Sequence, residues 1–160
     1  MGITTAKEAA YDPRVLAFGR MMGAANRLEY LLGRALEAEC GISHLMFEVL
    51  LIVGRSGAAG MSMRAIAQEQ VLTTGGATRL VDRMTTLGLV VRSSDSQDRR
   101  VQLVRLTAQG EETTVRAARV HVENIQRLFL DPLPADHRDR FAQDLRTLSH
   151  SARDALPKLR

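Results

Sequence analysis

The segment Thr73-Thr74-Gly75-Gly76-Ala77-Thr78-Arg79-Leu80-Val81-Asp82-Arg83-Met84-Thr85-Thr86-Leu87-Gly88-Leu89-Val90 decides how the rest of the chain is read. Thr73 or Thr74 can cap a helix, and Ala77, Leu80, Val81 and Met84 recur at the spacing of one buried face. The helix is predicted to run to about Leu87, with Gly88 stopping it. Its first turns are small and polar as far as Arg79. Small residues let backbone amides approach a phosphate at a helix N-terminus. Thr74 and Thr78 hydroxyls suit phosphates or base edges, and Arg79 can fork onto a guanine or a phosphate. Two glycines in a helix cost roughly 1 kcal/mol each relative to alanine. Close approach of another molecule would account for that cost, at Gly76 in particular; a flexible helix start is the alternative.

Outward from this segment, both sides carry short elements. Ser62 caps a predicted helix from Met63 to about Gln70, with Ile66 and Ala67 inward and Arg64 in its first turn. Ser43 caps another through about Arg55, with Leu45, Met46, Val49, Leu50 and Val53 as its apolar face, and 56–60 reads as a loop. On the other side the period shortens. Leu89–Arg92 and Val101–Leu106 are rich in Val and Leu and of strand length, separated by the polar run Ser93–Arg100. Two antiparallel strands with a charged tip are expected, leaning on the helices, because an isolated hairpin is marginal in water. The order helix, helix, tight turn, helix, hairpin is that of a winged helix-turn-helix, whose last helix enters a DNA major groove. In the tip, Arg99 and Arg100 suit the negative potential of a narrow minor groove. Asp98 can hold one guanidinium in place. A plain solvated turn is the alternative. Asp82 and Arg83 lie deeper in the helix, where Arg83 reaches DNA or both pair with neighbours or with the wing strand.

Long helices flank this unit. Asp12-Pro13 starts one and Cys40-Gly41 ends it, with Val15, Phe18, Met22, Ala25, Leu28, Leu32 and Ala35 as its stripe and Met21, Leu31 and Leu36 widening it. Thr107 caps another, striped by Val115, Ala118, Val122, Ile125 and Phe129, and Asp131-Pro132-Leu133-Pro134 breaks it. A last helix carries Phe141, Leu145, Leu148, Ala152 and Leu156. The fold class is therefore mainly α with a small β-hairpin wing. Its expected regions are 1–42, 43–106 and 107–160, with the outer two serving dimerisation.

Composition agrees and excludes other classes. With 45% hydrophobic residues over 160 positions, a packed core is expected. Aromatics are only 4%, with no Trp, which argues against stacking platforms for single-stranded nucleic acid. There are 20 Arg and 2 Lys, an excess owed mostly to GC-rich base composition. The net charge of +4 is uneven: residues 61–105 hold 7 positive and 4 negative groups, whereas residues 1–60 hold 6 of each. The surplus falls on the segment read as DNA-binding. A single cysteine, Cys40, permits no disulfide within the chain, and His44, His121, His137 and His150 have no metal-ligand spacing. No apolar run reaches the roughly 18 residues of a membrane span, and the N-terminus lacks a signal-peptide core. A cytoplasmic protein without metal, cofactor or catalytic set is expected.

Four pieces in order resemble the MarR family of bacterial transcriptional regulators: Thr78-Arg79-Leu80-Val81-Asp82-Arg83-Met84, Gly88-Leu89-Val90, Asp95-Ser96-Gln97-Asp98-Arg99-Arg100, and Leu106-Thr107-Ala108-Gln109-Gly110. Met84 stands where the family pattern has Leu. The resemblance implies a homodimer whose flanking helices interlock. It implies a recognition helix of about 74–87 and a wing of about 93–100 on an inverted-repeat DNA operator. It also implies repression relieved by a small aromatic or phenolic effector. DNA contacts are then assigned to Thr74, Gly76, Thr78, Arg79, Arg83, Asp98, Arg99, Arg100 and Arg64. Arg20, Arg27, Tyr30 and His44 are weaker candidates for an effector crevice, against a plain solvent face for the two arginines and a local capping role for His44. Some relatives sense peroxide through a cysteine near the start of the first helix; Cys40 is at its end, and an inert thiol is expected. A winged module that binds protein or RNA is the alternative function.

Overall fold

A computed structural model describes residues 2–95 and 100–156. The elements are α1 (Ala6–Tyr11), α2 (Pro13–Cys40), α3 (His44–Ser56), β1 (Met61–Ser62), α4 (Met63–Glu69), α5 (Thr74–Thr86), β2 (Val90–Ser94), β3 (Gln102–Leu106), α6 (Ala108–Ile125) and α7 (Arg138–Ala155). The expected caps are in place: Asp12, Ser43, Ser62, Thr73 and Thr107 each accept a backbone N–H of the helix that follows. Gly41 closes α2 in the left-handed conformation at φ 70°. Helix α1 was not anticipated. A reciprocal capping box makes it, with Thr5 bonded to the Glu8 amide and the Glu8 carboxylate bonded back to Thr5.

The expected two-stranded hairpin is instead a three-stranded antiparallel sheet in the order β1-β3-β2. Met61 and Ser62 pair with Val104 and Leu103, and β2 pairs with β3 from Val90↔Leu106 to Ser94↔Gln102. Two residues leave too short a period-2 pattern to be read from sequence. They form a strand because the turn before them delivers them to the free edge of β3.

The core is one cluster beneath the winged unit. Phe47, Leu50 and Val53 of α3, Ile66 of α4, Val81 and Met84 of α5, Val90 and Val104 of the sheet and Leu36 of α2 are buried together. The flanking helices contribute little to it. Helix α2 buries only Leu32 and Leu36 of its 28 residues, and α7 buries none. The stripe predicted for α6 also points elsewhere: Val115 and Val122 are 52% and 64% exposed, while Gly110, Thr113 and Ala117 face inward. Val15, Phe18, Met22, Phe141 and Leu148 are exposed as well. Total accessible area is 11673 Å². A compact monomer of 17.6 kDa exposes about 7,900 Å².

One junction ties α5, the sheet and α6 together. Gly88, at φ 71°, turns the chain out of α5, and the Leu89 amide bonds back to the Met84 carbonyl at 2.9 Å. The Leu89 carbonyl accepts the Thr107 amide at 3.1 Å, and the Thr107 hydroxyl lies between the carbonyls of Gly88 and Leu89. The same hydroxyl caps Gly110 N–H at 2.9 Å. A Cβ on Gly110 would stand 1.9 Å from the Leu89 carbonyl oxygen, so only glycine lets α6 press against this strand.

A second junction joins the long helices to α3. His44 Nδ1 meets the Glu29 carboxylate of α2, which replaces the local capping role expected for this histidine. The His44 ring lies 5.0 Å from the ring of His121 on α6, and Phe47 packs edge-on against His121 at 5.0 Å. His121 Nδ1 is enclosed and has no hydrogen-bond partner among the described residues. Burial, and then the neighbouring His44, hold the His121 imidazole below its ordinary value, with Glu29 opposing.

Gly110→Ala is expected to lower unfolding free energy by about 1–3 kcal/mol, towards the upper end because backbone must move. Urea denaturation measures it, and an unchanged midpoint would show that α6 can slide away from Leu89. Because folding disfavours a proton on His121, its contribution to stability is complete above the unfolded value of about 6.5 and is lost as pH falls below it. The urea midpoint should therefore drop between pH 7.5 and 5.5, and drop less in His121→Gln. An equal drop in both proteins would contradict this assignment.

Candidate nucleic-acid interface

Helix α5 turns Ala77, Val81 and Met84 into the core with Leu80 half-buried, so the opposite side faces solvent. Gly75, Arg79 and Arg83 follow one another there at four-residue spacing, on one exposed stripe. Arg79 and Arg83 hold no ion pair with any described residue, and neither does Arg64 in the first turn of α4. Each is exposed.

The two glycines have different surroundings. A Cβ on Gly76 would meet the capping Thr73 oxygen at 3.2 Å, and the Gly76 amide is the one that this oxygen caps at 3.1 Å. A Cβ on Gly75 would meet nothing within 4 Å. Nothing in the fold therefore requires glycine at 75, whereas residue 76 sits under its own cap. Thr78 donates its hydroxyl to the Thr74 carbonyl at 2.9 Å, leaving its oxygen lone pairs as acceptors.

An open groove of about 1040 Å³ runs beside the start of α5. It brings together Arg64 from α4, Thr74 and Gly75 from α5, and Arg100 from the approach to β3. Three separate segments thus converge on one concave surface with two guanidinium groups. Arg79 and Arg83 continue from it along the exposed side of α5. Asp98 and Arg99 lie outside the described residues.

Two arginines counted in the positive surplus are committed inside the fold. Arg92 of β2 forms an ion pair with Asp82 at 2.8 Å and donates to the Thr78 carbonyl at 3.2 Å, joining the wing strand to α5. Asp82 is therefore a positioning group paired with the wing strand, one of the roles open to it from sequence. Arg105 of β3 donates to the Ala58 carbonyl at 2.7 Å, to the Ala59 carbonyl at 3.2 Å and to the Ser93 hydroxyl. Sequence reading did not find this role. Its acceptors are backbone carbonyls 46 and 47 residues away, and no motif marks them.

The effector candidates are not gathered. Arg20, Arg27 and Tyr30 are exposed on α2, His44 is engaged by Glu29, and none of the four lines this groove or the smaller one at the start of α7. Cys40 is half-buried against the core. Among the described residues, no group of three or more His, Cys, Asp or Glu could hold a metal ion. No described helix is long and apolar enough to cross a membrane.

Comparison with known proteins agrees with this geometry. Residues 41–101 match the MarR family model. The chain is 29% identical over 92 residues to the transcriptional regulator HosA of Escherichia coli, covering 58% of this chain and 67% of that protein. Among solved structures it is similar to Sco3205 of Streptomyces coelicolor, a MarR family transcriptional regulator in complex with DNA. That similarity has a TM-score of 0.81 and 26% identity over 99% of this chain and 100% of the other. CouR of Rhodococcus jostii, bound to p-coumaroyl-CoA, shares the fold at a TM-score of 0.74 and 23% identity, over 91% of this chain and 95% of the other. By motif order, by the match over its winged segment and by its fold, the chain is similar to the MarR-family transcriptional regulators.

Proposed function

We propose that the chain works as a homodimeric repressor that binds an inverted-repeat operator in duplex DNA. Helix α5 enters the major groove and the wing lies along the neighbouring minor groove. The observation that carries this reading is the stripe Gly75, Arg79 and Arg83 with Arg64 and Arg100 beside it, four exposed guanidiniums around a helix start. Arg79 and Thr78 face base edges, Thr74 and the open Gly75 admit the phosphate backbone, and Arg64 and Arg83 contact phosphates. Arg100, with Arg99 and Asp98, serves the wing. Gly76 contributes its capped backbone to the tight start of the helix.

The dimer is supported by area. The chain exposes about 3,800 Å² more than a compact monomer of its mass, and the excess includes apolar positions of α2, α6 and α7. A second copy interlocked through regions 1–42 and 107–160, with 43–106 as the DNA-binding part, would bury them. Two-fold symmetry then sets the half-sites about one helical turn, or roughly 10 bp, apart. A small aromatic or phenolic acid is the effector class, with p-coumaroyl-CoA on CouR as the precedent. It would release the operator by binding better to the conformer with the wrong helix spacing. A cytoplasmic location accompanies this function.

Fluorescence anisotropy with DNA from upstream of the protein's own gene, at two salt concentrations, tests the reading. Specific binding should weaken steeply with salt. Equal affinity for random DNA or for RNA duplexes would overturn it. Gly75→Ala should leave the unfolding midpoint unchanged or raised, since the site is open and alanine is the better helix former, yet should weaken operator binding several-fold. Unchanged affinity would remove close backbone approach from the account.

A further inference from the structure

We propose that Arg105 is a positioning residue for the wing strands, acting through Ser93 and Arg100 rather than on DNA itself. The inference rests on the DNA-binding reading above. Arg105 is half-buried on β3, in the middle of the sheet. Its Nε donates to the Ala58 carbonyl at 2.7 Å and its Nη2 to the Ala59 carbonyl at 3.2 Å, both in the turn Gly57–Ala59 that delivers β1. Its Nη1 donates to the Ser93 hydroxyl on β2. One guanidinium therefore spans the sheet, from the turn before the β1 edge to the opposite edge strand.

The surroundings are built for this clamp. Gly60, at φ 73°, lies beneath the arginine stem: a Cβ there would stand 2.9 Å from Arg105 Cγ and 3.0 Å from the Val104 carbonyl oxygen. The edge it secures is weak, because β1 pairs with β3 through only Met61↔Val104 and Ser62↔Leu103. Ser93 sits one residue before the end of β2, from which the tip departs. Holding Ser93 to the Ala58–Ala59 turn fixes the end of β2 against β3, the strand that Arg100 precedes. The planar fork is spent on these inward acceptors, which an ammonium, with its donors at one point, cannot span.

The test uses the full chain as wild type, R105K, R105Q, R100A and R105Q/R100A, with operator affinity, its salt dependence and amide hydrogen exchange as readouts. Positioning predicts that R105K and R105Q both weaken operator binding by about tenfold, although lysine keeps the charge. It also predicts that R105Q adds little once Arg100 is gone, because coupled residues are non-additive. Exchange in 57–62 and 90–94 should quicken in R105Q without DNA present. A direct phosphate contact predicts the opposite pattern: rescue by lysine, additivity with R100A, and loss of about one unit of salt slope in either background. That pattern would overturn the proposal, as would unchanged affinity in R105Q. Unchanged exchange in R105Q overturns the clamp whatever the DNA results. If wild type binds no operator, the DNA-binding reading falls with the proposal, while exchange still reports separately on the clamp.

Discussion

The contact on which the rest of the molecule depends is the closure of Thr107 and Gly110 over Gly88 and Leu89. The Leu89 carbonyl receives the Thr107 amide, and the Thr107 hydroxyl serves both this strand entry and the first turn of α6. The end of the recognition helix, the entry to β2, the exit of β3 and the start of α6 all meet within a few residues. Gly88 supplies the left-handed turn, and Gly110 supplies the absence of a side chain where helix and strand backbones touch. If α6 carries the dimer, this point transmits its position to α5.

From that junction outward, the arginines of the winged unit divide into those bonded within the fold and those left exposed around α5. Arg92 pins the recognition helix to the wing strand through Asp82 and Thr78, and Arg105 pins the sheet to the turn before β1. Exposed ion pairs contribute little to stability, about 0–1 kcal/mol. The Arg92 pair is of this kind and Arg105 bonds only neutral acceptors, so both matter for direction more than for energy. Arg64, Arg79 and Arg83 stay exposed without ion pairs among the described residues, and Arg100 joins Arg64 at one groove. A positive total of +4 does not single out these residues; their position around the start and exposed side of α5 does.

Much of this was legible in the chain itself because the signals are local. Asp12-Pro13, Ser43, Ser62, Thr73 and Thr107 mark helix starts through bonds reaching only two or three residues, and each is where sequence reading puts it. The winged order followed from those starts and from the change of period after Gly88. What escaped was set by distant partners. The β1 strand exists through Val104 and Leu103, the His44 interaction through Glu29, and the Arg105 clamp through Ala58 and Ala59. The apolar stripes of α2 and α6 were read as wider than a lone domain needs, and much of each lies outside this chain's own core. Periodicity reports that a face is apolar without saying which molecule covers it. Likewise, the sequence paired Gly75 with Gly76, and only the space around each separates a capped glycine from an open one.

The central claim is that two copies present two α5 helices to one duplex about a shared two-fold axis. Hydroxyl-radical footprinting on an operator selected from a random DNA pool, with the mass of the complex measured by sedimentation, tests it most directly. The account predicts two chains per duplex and two protected patches related by a dyad, centred about one turn, roughly 10 bp, apart. A single protected patch with one chain bound would contradict it.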